Sequence, residues 1–405
     1  MKDSLDVVFC NLMRVGLGLT QGFPYSLTEG EWQSLFKMAK VQTVQGVAFD
    51  ALSRLPPESR PPRALSMRLS LAVEAIRGMN RRMDEVASRY TRLFAERGYR
   101  SVVLKGQANA RLYPEPLSRQ SGDIDIWVPG GYDKVERLLL SMGLISEGRD
   151  SYRVSHHIGF RDASGIEIEV HHRPAEVPFR NAEFQEALLA EFENSARVPE
   201  GFCVPNVRFA LLMQLEHLYY HCVHEGVGLR HFMDYFVLLT HSTGADREFV
   251  RGWVRRFALG HACAAVMWVL GEVFGLSRGS MICPPDRGRG MRLYREMFAG
   301  GNFGRGKTDC GGDGAGAESR RDAGNTGCEM RGDLGHGRRR DVGFKKRRDS
   351  GHGKRRPLAR WFSNRVKSWS WFAFDPLNTV LREVHYWRDT ISLIPERIRR
   401  RKVFL

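Results

Sequence analysis

The sequence predicts an α+β fold, α/β-like in the alternation of its elements, in which a small mixed β-sheet is flanked by N- and C-terminal helical regions. Three observations carry this reading. Apolar residues recur at three- and four-residue spacing before residue 98 and again after residue 179. Between them, residues 99–178 switch to short β-branched runs and period-two alternation. Within that stretch the order is strand, short helix, strand, helix, strand, strand.

The N-terminal region, 1–98, reads as helical. "EGEWQSLFKMAKVQTVQGVAFDAL" and "LSMRLSLAVEAIRGMNRRMDEVASRYTRLFAERG" are amphipathic, Pro56, Pro57, Pro61 and Pro62 separate them, and Gly98 closes the second. In the core, "RSVVLKG" is a strand stopped by Gly106, "ANARLY" is a helical turn or two ended by Pro114 and Pro116, and "DIDIWV" alternates as a strand. "YDKVERLLLSMG" is an amphipathic helix, and "SYRVSHHIGFRD" and "GIEIEVHHR" are strands joined by the turn "DASG". Residues 179–300 are again helical, through "VRFALLMQLEHLYYHCVHEG", "LRHFMDYFVLLTHS" and "FVRGWVRRFALGHACAAVMWVLGEVFG".

Residues 301–356 differ. They are rich in Gly and Arg and nearly devoid of large apolar residues, so they cannot bury enough surface to offset the entropy of ordering. The abruptness of the change also fits an out-of-frame stretch in the gene. Residues 357–405 read as a basic helical tail, with "WFSNRVKSWSWFAF" expected to pack back on the core. Of the net charge of +16 over 405 residues, most lies here: residues 305–356 hold 15 Lys/Arg against 8 Asp/Glu, and residues 357–405 hold 10 against 4. The tail therefore permits weak nucleic-acid contact without making the whole chain a nucleic-acid binder. Seven scattered cysteines with no CxxC pair argue against a disulfide framework and for a reducing, cytoplasmic setting. No run of about 18 uncharged apolar residues occurs, so no transmembrane segment is expected.

The chemistry-bearing residues lie in the core. In a strand, residues two apart share a face. Asp123 and Asp125 therefore project together, opposite Ile124, Ile126 and Val128, and in the later strand Glu167, Glu169 and His171 share a face. If the two strands are neighbours, three carboxylates converge, a donor set suited to Mg²⁺ that keeps waters and binds substrate phosphates. Alternation alone also fits a solvated face. The turn at Lys105-Gly106 opens a short helix whose backbone N–H groups, with the lysine charge, suit a triphosphate, and Gly122 stands just before the aspartates. On the helical side, His217, His221 and His224 fall at i, i+4 and i+7, as a metal site or as hydrogen-bonding histidines of the cleft. Arg230 and Asp234, at i and i+4, read as a helix-surface pair or as cleft residues.

"VVLKGQANARLYPEPLSRQSGDIDIWV" followed by "IEIEVHHR" resembles the uncharacterised nucleotidyltransferase family of the DNA polymerase β superfamily, which is common in bacteria. The shared pattern is a Lys-Gly turn, a Tyr-Pro, an Arg, Gly-Asp-x-Asp, and an acidic residue before a histidine; it matches residues 102–128 nearly throughout and extends more weakly over residues 30–305. The resemblance implies transfer of a nucleotidyl group from a metal-held nucleoside triphosphate, with Mg²⁺ or alternatively Mn²⁺. It implies Asp123 and Asp125 as metal ligands and Glu169 as the third carboxylate, with Glu167 its rival. It further implies Lys105, Gly106, Gly122 and Arg119 at the nucleotide, and His171, Arg230 and Asp234 in the substrate cleft. The chain departs from the wider superfamily in carrying Lys-Gly rather than Gly-Ser at the first turn, with Asp123 lying 17 positions after Gly106. The acceptor is open: a small molecule, an RNA, or a protein or peptide. The rival expectation is a non-catalytic nucleotide- or nucleic-acid-binding protein with the same fold and basic tail.

Overall fold

A computed structural model of the chain describes residues 3–146, 152–153, 156–177, 180–224, 226–300, 374–376 and 379–380. The Gly/Arg-rich stretch and all but five residues of the basic tail lie outside these.

Four helices precede the sheet: α1 (Leu5–Gly16), α2 (Glu29–Val41), α3 (Gln45–Arg54) and α4 (Arg63–Ala95). Thr28 and Glu31 form a reciprocal capping box that starts α2. The 33-residue α4 is about 50 Å long at 1.5 Å per residue. Its early apolar positions Leu65, Leu69 and Val73 join the larger core, built from helices, and its later ones, Met83, Val86, Ala87, Tyr90 and Phe94, join the second core beneath the sheet. One amphipathic helix thus serves two cores, and Gly98, at φ +79°, turns the chain out of it.

The central unit runs β1 (Val102–Val103), α5 (Gln107–Ala110), β2 (Ile124–Trp127), α6 (Tyr132–Ser141), β3 (Tyr152–Arg153), β4 (His157–Arg161) and β5 (Glu167–His171). The sheet order is β1-β2-β5-β4-β3, with β2 and β5 parallel and the other pairs antiparallel. The fold is α+β with a mixed sheet, as the element order predicts. The β4–β5 turn is held by Asp162, whose Oδ1 accepts from the backbone N–H of Ser164 and of Ile166.

Beyond the sheet come α7 (Asn181–Phe192), a short hairpin of β6 (Ala196–Arg197) and β7 (Cys203–Val204), then α8 (Val207–His224), α9 (Leu229–Thr240), α10 (Gly244–Arg256), α11 (Gly260–Phe274) and α12 (Arg287–Gly300). The hairpin was not expected within a region read as helical; two residues per strand leave too little alternation to detect. Of the tail, Phe374 is buried and its carbonyl accepts from Arg289 Nε on α12 at 2.8 Å. Among the described residues, no helix is long and apolar enough to cross a membrane.

β2 is an interior strand covered on both faces. Ile124, Ile126 and Val128 pack into the core beneath the sheet. On the other face Trp127 lies against Phe192 of α7 and Phe209 of α8, at ring separations of 5.0 and 5.4 Å. The solvated-face alternative is thereby excluded for Asp125, which is 2% exposed.

Buried polar contacts tie the segment before β2 to the helices. Asn80 of α4 donates to the carbonyls of Leu117 and Arg119 at 2.7 and 2.8 Å. A Cβ on Gly46 of α3 would lie 2.0 Å from the Ser118 carbonyl oxygen, so only glycine permits that approach. Asn109 of α5 and Gln214 of α8 exchange reciprocal amide hydrogen bonds at 2.7 and 3.0 Å. The Arg119 guanidinium grips Asp234 of α9 with two bonds, Nε–Oδ1 2.9 Å and Nη2–Oδ2 2.6 Å, and the Tyr113 hydroxyl donates to the same Oδ1 at 2.7 Å.

Two outcomes follow from these contacts. Asn80→Ala strands one buried and one partly buried carbonyl and is expected to cost about 1–3 kcal/mol in chemical denaturation. For Asp234, burial would raise its pKa, but Arg119 outweighs that and holds the carboxyl below its usual range. A depressed carboxylate stabilises the fold above its unfolded pKa of about 4, and that stability is lost as pH falls through the lower folded value. The urea midpoint of the wild type should therefore exceed that of Asp234→Asn at neutral pH, and the gap should narrow below about pH 4.

Candidate active site

The parallel register of β2 and β5 pairs Asp125 with Glu169, so two carboxylates stand side by side on the face toward the helices. Across β5, the neighbour of Glu169 on β4 is Gly159, which carries no side chain, while His171 faces His157. His171 Nε2 lies 2.9 Å from Asp125 Oδ1 and 3.6 Å from Glu169 Oε2, and its Nδ1 is 3.3 Å from the Arg173 carbonyl, which fixes the ring. His157 Nδ1 is 3.2 Å from Glu169 Oε2. Glu167, at the far end of β5, is half exposed and paired with Arg161 at 2.9 Å. Of the two rivals, Glu169 is the one beside Asp125.

Lys105 enters from the neighbouring strand. The Leu104 N–H donates to the Asp125 carbonyl at 3.0 Å, extending the β1–β2 pairing, and Lys105 Nζ lies 3.2 Å from Asp125 Oδ1. On its other side Nζ is 3.0 Å from His217 Nε2 of α8. Gly106, at φ +52° and ψ −109°, has a backbone that other residues avoid. Gly122 is exposed, and a Cβ there would meet nothing within 4 Å.

Asp123 sits one residue ahead of β2 and is half-buried. It lines the same cleft as Lys105, Gly106 and Asp125 but is not in the group of close ligand atoms formed by Asp125, Glu169 and His171. The expectation that both aspartates project from one strand face is corrected in this respect: the ladder begins at Ile124, so the strand constrains only Asp125.

The helical side supplies the opposite wall, with His217, Arg230 and His231. Arg230 and Asp234 are buried, at 8% and 5% exposure, which corrects their reading as a helix-surface pair. Asp234 is bonded to Arg119 instead, and Arg119, expected at the phosphates, spends its guanidinium on Asp234 and Ser121. The expected histidine trio also changes: His217 and His221 group with His231 of α9, with ring nitrogens within 4.8 Å of one another, while the side chain of His224 lies outside the described residues. His217, the acceptor facing Lys105, has no signal in the sequence that links it to a lysine 112 positions earlier.

Charges at the site are strongly coupled. Burial would raise Asp125, but Lys105 and His171 more than offset it and hold its carboxyl far below the usual range. Burial works against the charge of Lys105 too, yet Asp125, Asp123 and Glu169 raise its pKa. His171, buried but bonded to Asp125 and Glu169, is pushed up to about 9. Glu169 is raised by burial, despite its hydrogen bond to His171. His157, buried and next to the His171 charge, falls to about 3 and stays neutral.

Asp125, Glu169 and His171 offer two carboxylate oxygens and an imidazole nitrogen within 4.8 Å of one another. That donor set fits a divalent cation. Oxygen donors suit Mg²⁺, and the imidazole makes Mn²⁺ equally apt. Ligation by His171 would require its proton to leave.

A family model described as uncharacterised nucleotidyltransferase matches residues 28–275, more than half of the chain. Among solved structures, the chain is similar to the crystal structure of an antigenic nucleotidyltransferase-like protein from Paracoccidioides brasiliensis, at 14% identity over 44% of this chain and 90% of that one. The TM-score is 0.27, and the likeness adds nothing to what the family match shows. No curated protein matches the chain. The match over residues 28–275 spans the whole sheet, the Lys-Gly turn, the paired carboxylates and the helical wall, and the chain belongs to the uncharacterised nucleotidyltransferase family.

Proposed function

We propose that the protein is a divalent-metal-dependent nucleotidyltransferase. It moves a nucleoside monophosphate from a nucleoside triphosphate to a hydroxyl of a small molecule, an RNA, or a protein or peptide, with release of pyrophosphate. The observation that carries this reading is the register that sets Asp125 beside Glu169, with Lys105 Nζ 3.2 Å from Asp125 and both Lys105 and Asp125 lining one cleft.

Asp123, Asp125 and Glu169 would hold Mg²⁺ or Mn²⁺. Bound there, the cation would neutralise the charge that develops on the phosphoryl oxygens. Lys105, which lines the same cleft, would meet a phosphate oxygen. Gly106 lets the backbone turn toward the phosphates. Glu169, whose burial raises its proton affinity, is the group best suited to accept the proton of the attacking hydroxyl. His171 orients Asp125.

A second reading rests on Lys105 and His171, which already neutralise Asp125 and could serve a module that binds nucleotide without metal or turnover. The test is transfer from radiolabelled nucleoside triphosphates into cell extract, followed by mass spectrometry of the labelled product. Asp125→Asn and Glu169→Gln should each lower transfer by about 10²–10³-fold, the usual cost of removing one charge-stabilising group, while Glu167→Gln stays near the wild type. Nucleotide uptake unchanged by chelator, with no pyrophosphate released, would favour the second reading. Gly106→Ala forces a strained backbone worth about 1–3 kcal/mol; melting curves should show a lower Tm and calorimetry a weaker nucleotide affinity.

A further inference from the structure

Two of the cysteines that are scattered in the sequence meet in the fold. Cys263, in the first turn of α11, is fully buried, and Cys283, in the segment between α11 and α12, is half-buried. Their Sγ atoms lie 3.2 Å apart. A disulfide bond is about 2.0 Å long, so closing the gap takes a shift of about 1 Å. Hydrogen bonds on both sides of Cys283 hold this segment in place against its neighbours. The Ile282 N–H donates to Met267 Sδ of α11 at 3.4 Å, and the Ile282 carbonyl accepts from Arg251 Nε of α10 at 2.5 Å. The Asp286 N–H donates to the Ala264 carbonyl at 3.0 Å. Pro284 and Pro285 stiffen the backbone between these anchors.

The two thiols are unequal, and the inequality assigns their roles. Cys283 is the sulfur nearer to solvent. Its hydrogen bond with Cys263 lowers its pKa, the Arg251 charge lowers it further, and together they outweigh burial. The same contact, with burial, pushes the Cys263 thiol well up. An accessible, more acidic thiol beside a buried neutral one is the arrangement of an attacking cysteine and its resolving partner. The scattered spacing that argues against a disulfide framework does not bear on a bond that opens and closes.

We propose that Cys283 is a site of oxidation by hydrogen peroxide and that Cys263 resolves it to a reversible disulfide. The proposal stands independently of the reaction at the cleft. The Cys283 sulfur attacks one peroxide oxygen; an S–O bond forms, the O–O bond breaks, and the second oxygen leaves as water with the proton of the Cys283 thiol. Cys283 is then a sulfenic acid. The Cys263 sulfur attacks it; the S–S bond forms, the S–O bond breaks, and the hydroxyl leaves as water with the Cys263 proton. The two sulfurs give up two electrons and the peroxide takes them. The bond ties the first turn of α11 to the segment that leads into α12, across 20 positions of chain. Exchange with a small dithiol restores both thiols.

The experiment is peptide mapping by mass spectrometry on the full chain, reduced, treated with hydrogen peroxide and quenched with an alkylating agent. The wild type should yield a linked peptide pair carrying Cys263 and Cys283, lighter by two hydrogen atoms than the separate peptides and lost on treatment with dithiothreitol. Cys283→Ala should give no such pair and leave Cys263 reduced. Cys263→Ala removes the resolving thiol, so Cys283 should stop at the sulfenic acid and be labelled by dimedone, which marks little of the wild type. The wild-type map and the dimedone labelling decide the matter if Cys283→Ala does not fold. A Cys283 thiol that survives peroxide in the wild type would overturn the proposal, and so would its pairing with Cys310 or Cys328 in place of Cys263.

Discussion

The buried ion pair between Arg119 and Asp234 is the contact on which the site depends. It joins the segment before β2 to α9, two pieces of chain 115 positions apart, through two short bonds. A doubly bonded guanidinium and carboxylate sequestered from water are desolvated at considerable cost, so the geometry must be held from outside. Asn80 holds the carbonyl of Arg119, and Tyr113 holds the carboxylate of Asp234. The outcome is a fixed distance between the sheet and the helical wall. A second consequence is electrostatic. By occupying Asp234, Arg119 leaves Arg230 with no carboxylate at ion-pair distance among the described residues, although the charges of Asp234 and Asp123 still favour it.

The carboxylate side follows the opposite logic. Asp125 is buried and oversupplied with positive charge, from Lys105 at 3.2 Å and His171 at 2.9 Å. Those two groups hold the acid ionised in the absence of any other cation. The neutral His217 behind Lys105 accepts from the ammonium without competing for its charge.

Much of the fold was legible in the sequence because its signals are local. Helical spacing marked the long α4, alternation marked β2 and β5, and the Asp-Ala-Ser-Gly turn marked the β4–β5 hairpin. Asp125 and Glu169 were legible as well, since a period of two in each strand places them on one face and only adjacency remained to be assumed. Other readings failed where the answer depended on a distant segment. Spacing of four between Arg230 and Asp234 suggested an exposed pair, but it cannot report that Arg119 arrives from the other side of the molecule. Spacing on α8 likewise cannot report that the packing of α9 brings His231 beside His217 and His221.

The sequence by itself determined which residues could do chemistry: two acidic strands, a Lys-Gly turn and a family pattern shared over residues 28–275. These follow from residue type and short-range periodicity, which act before any long-range contact forms. Only the tertiary structure decided that Glu169 rather than Glu167 stands beside Asp125, that Asp123 precedes the strand rather than lying in it, and that Asp234 answers to Arg119. Each of those turns on strand register or on helix packing, where a shift of one residue or one helical turn changes every partner while leaving the local sequence pattern the same.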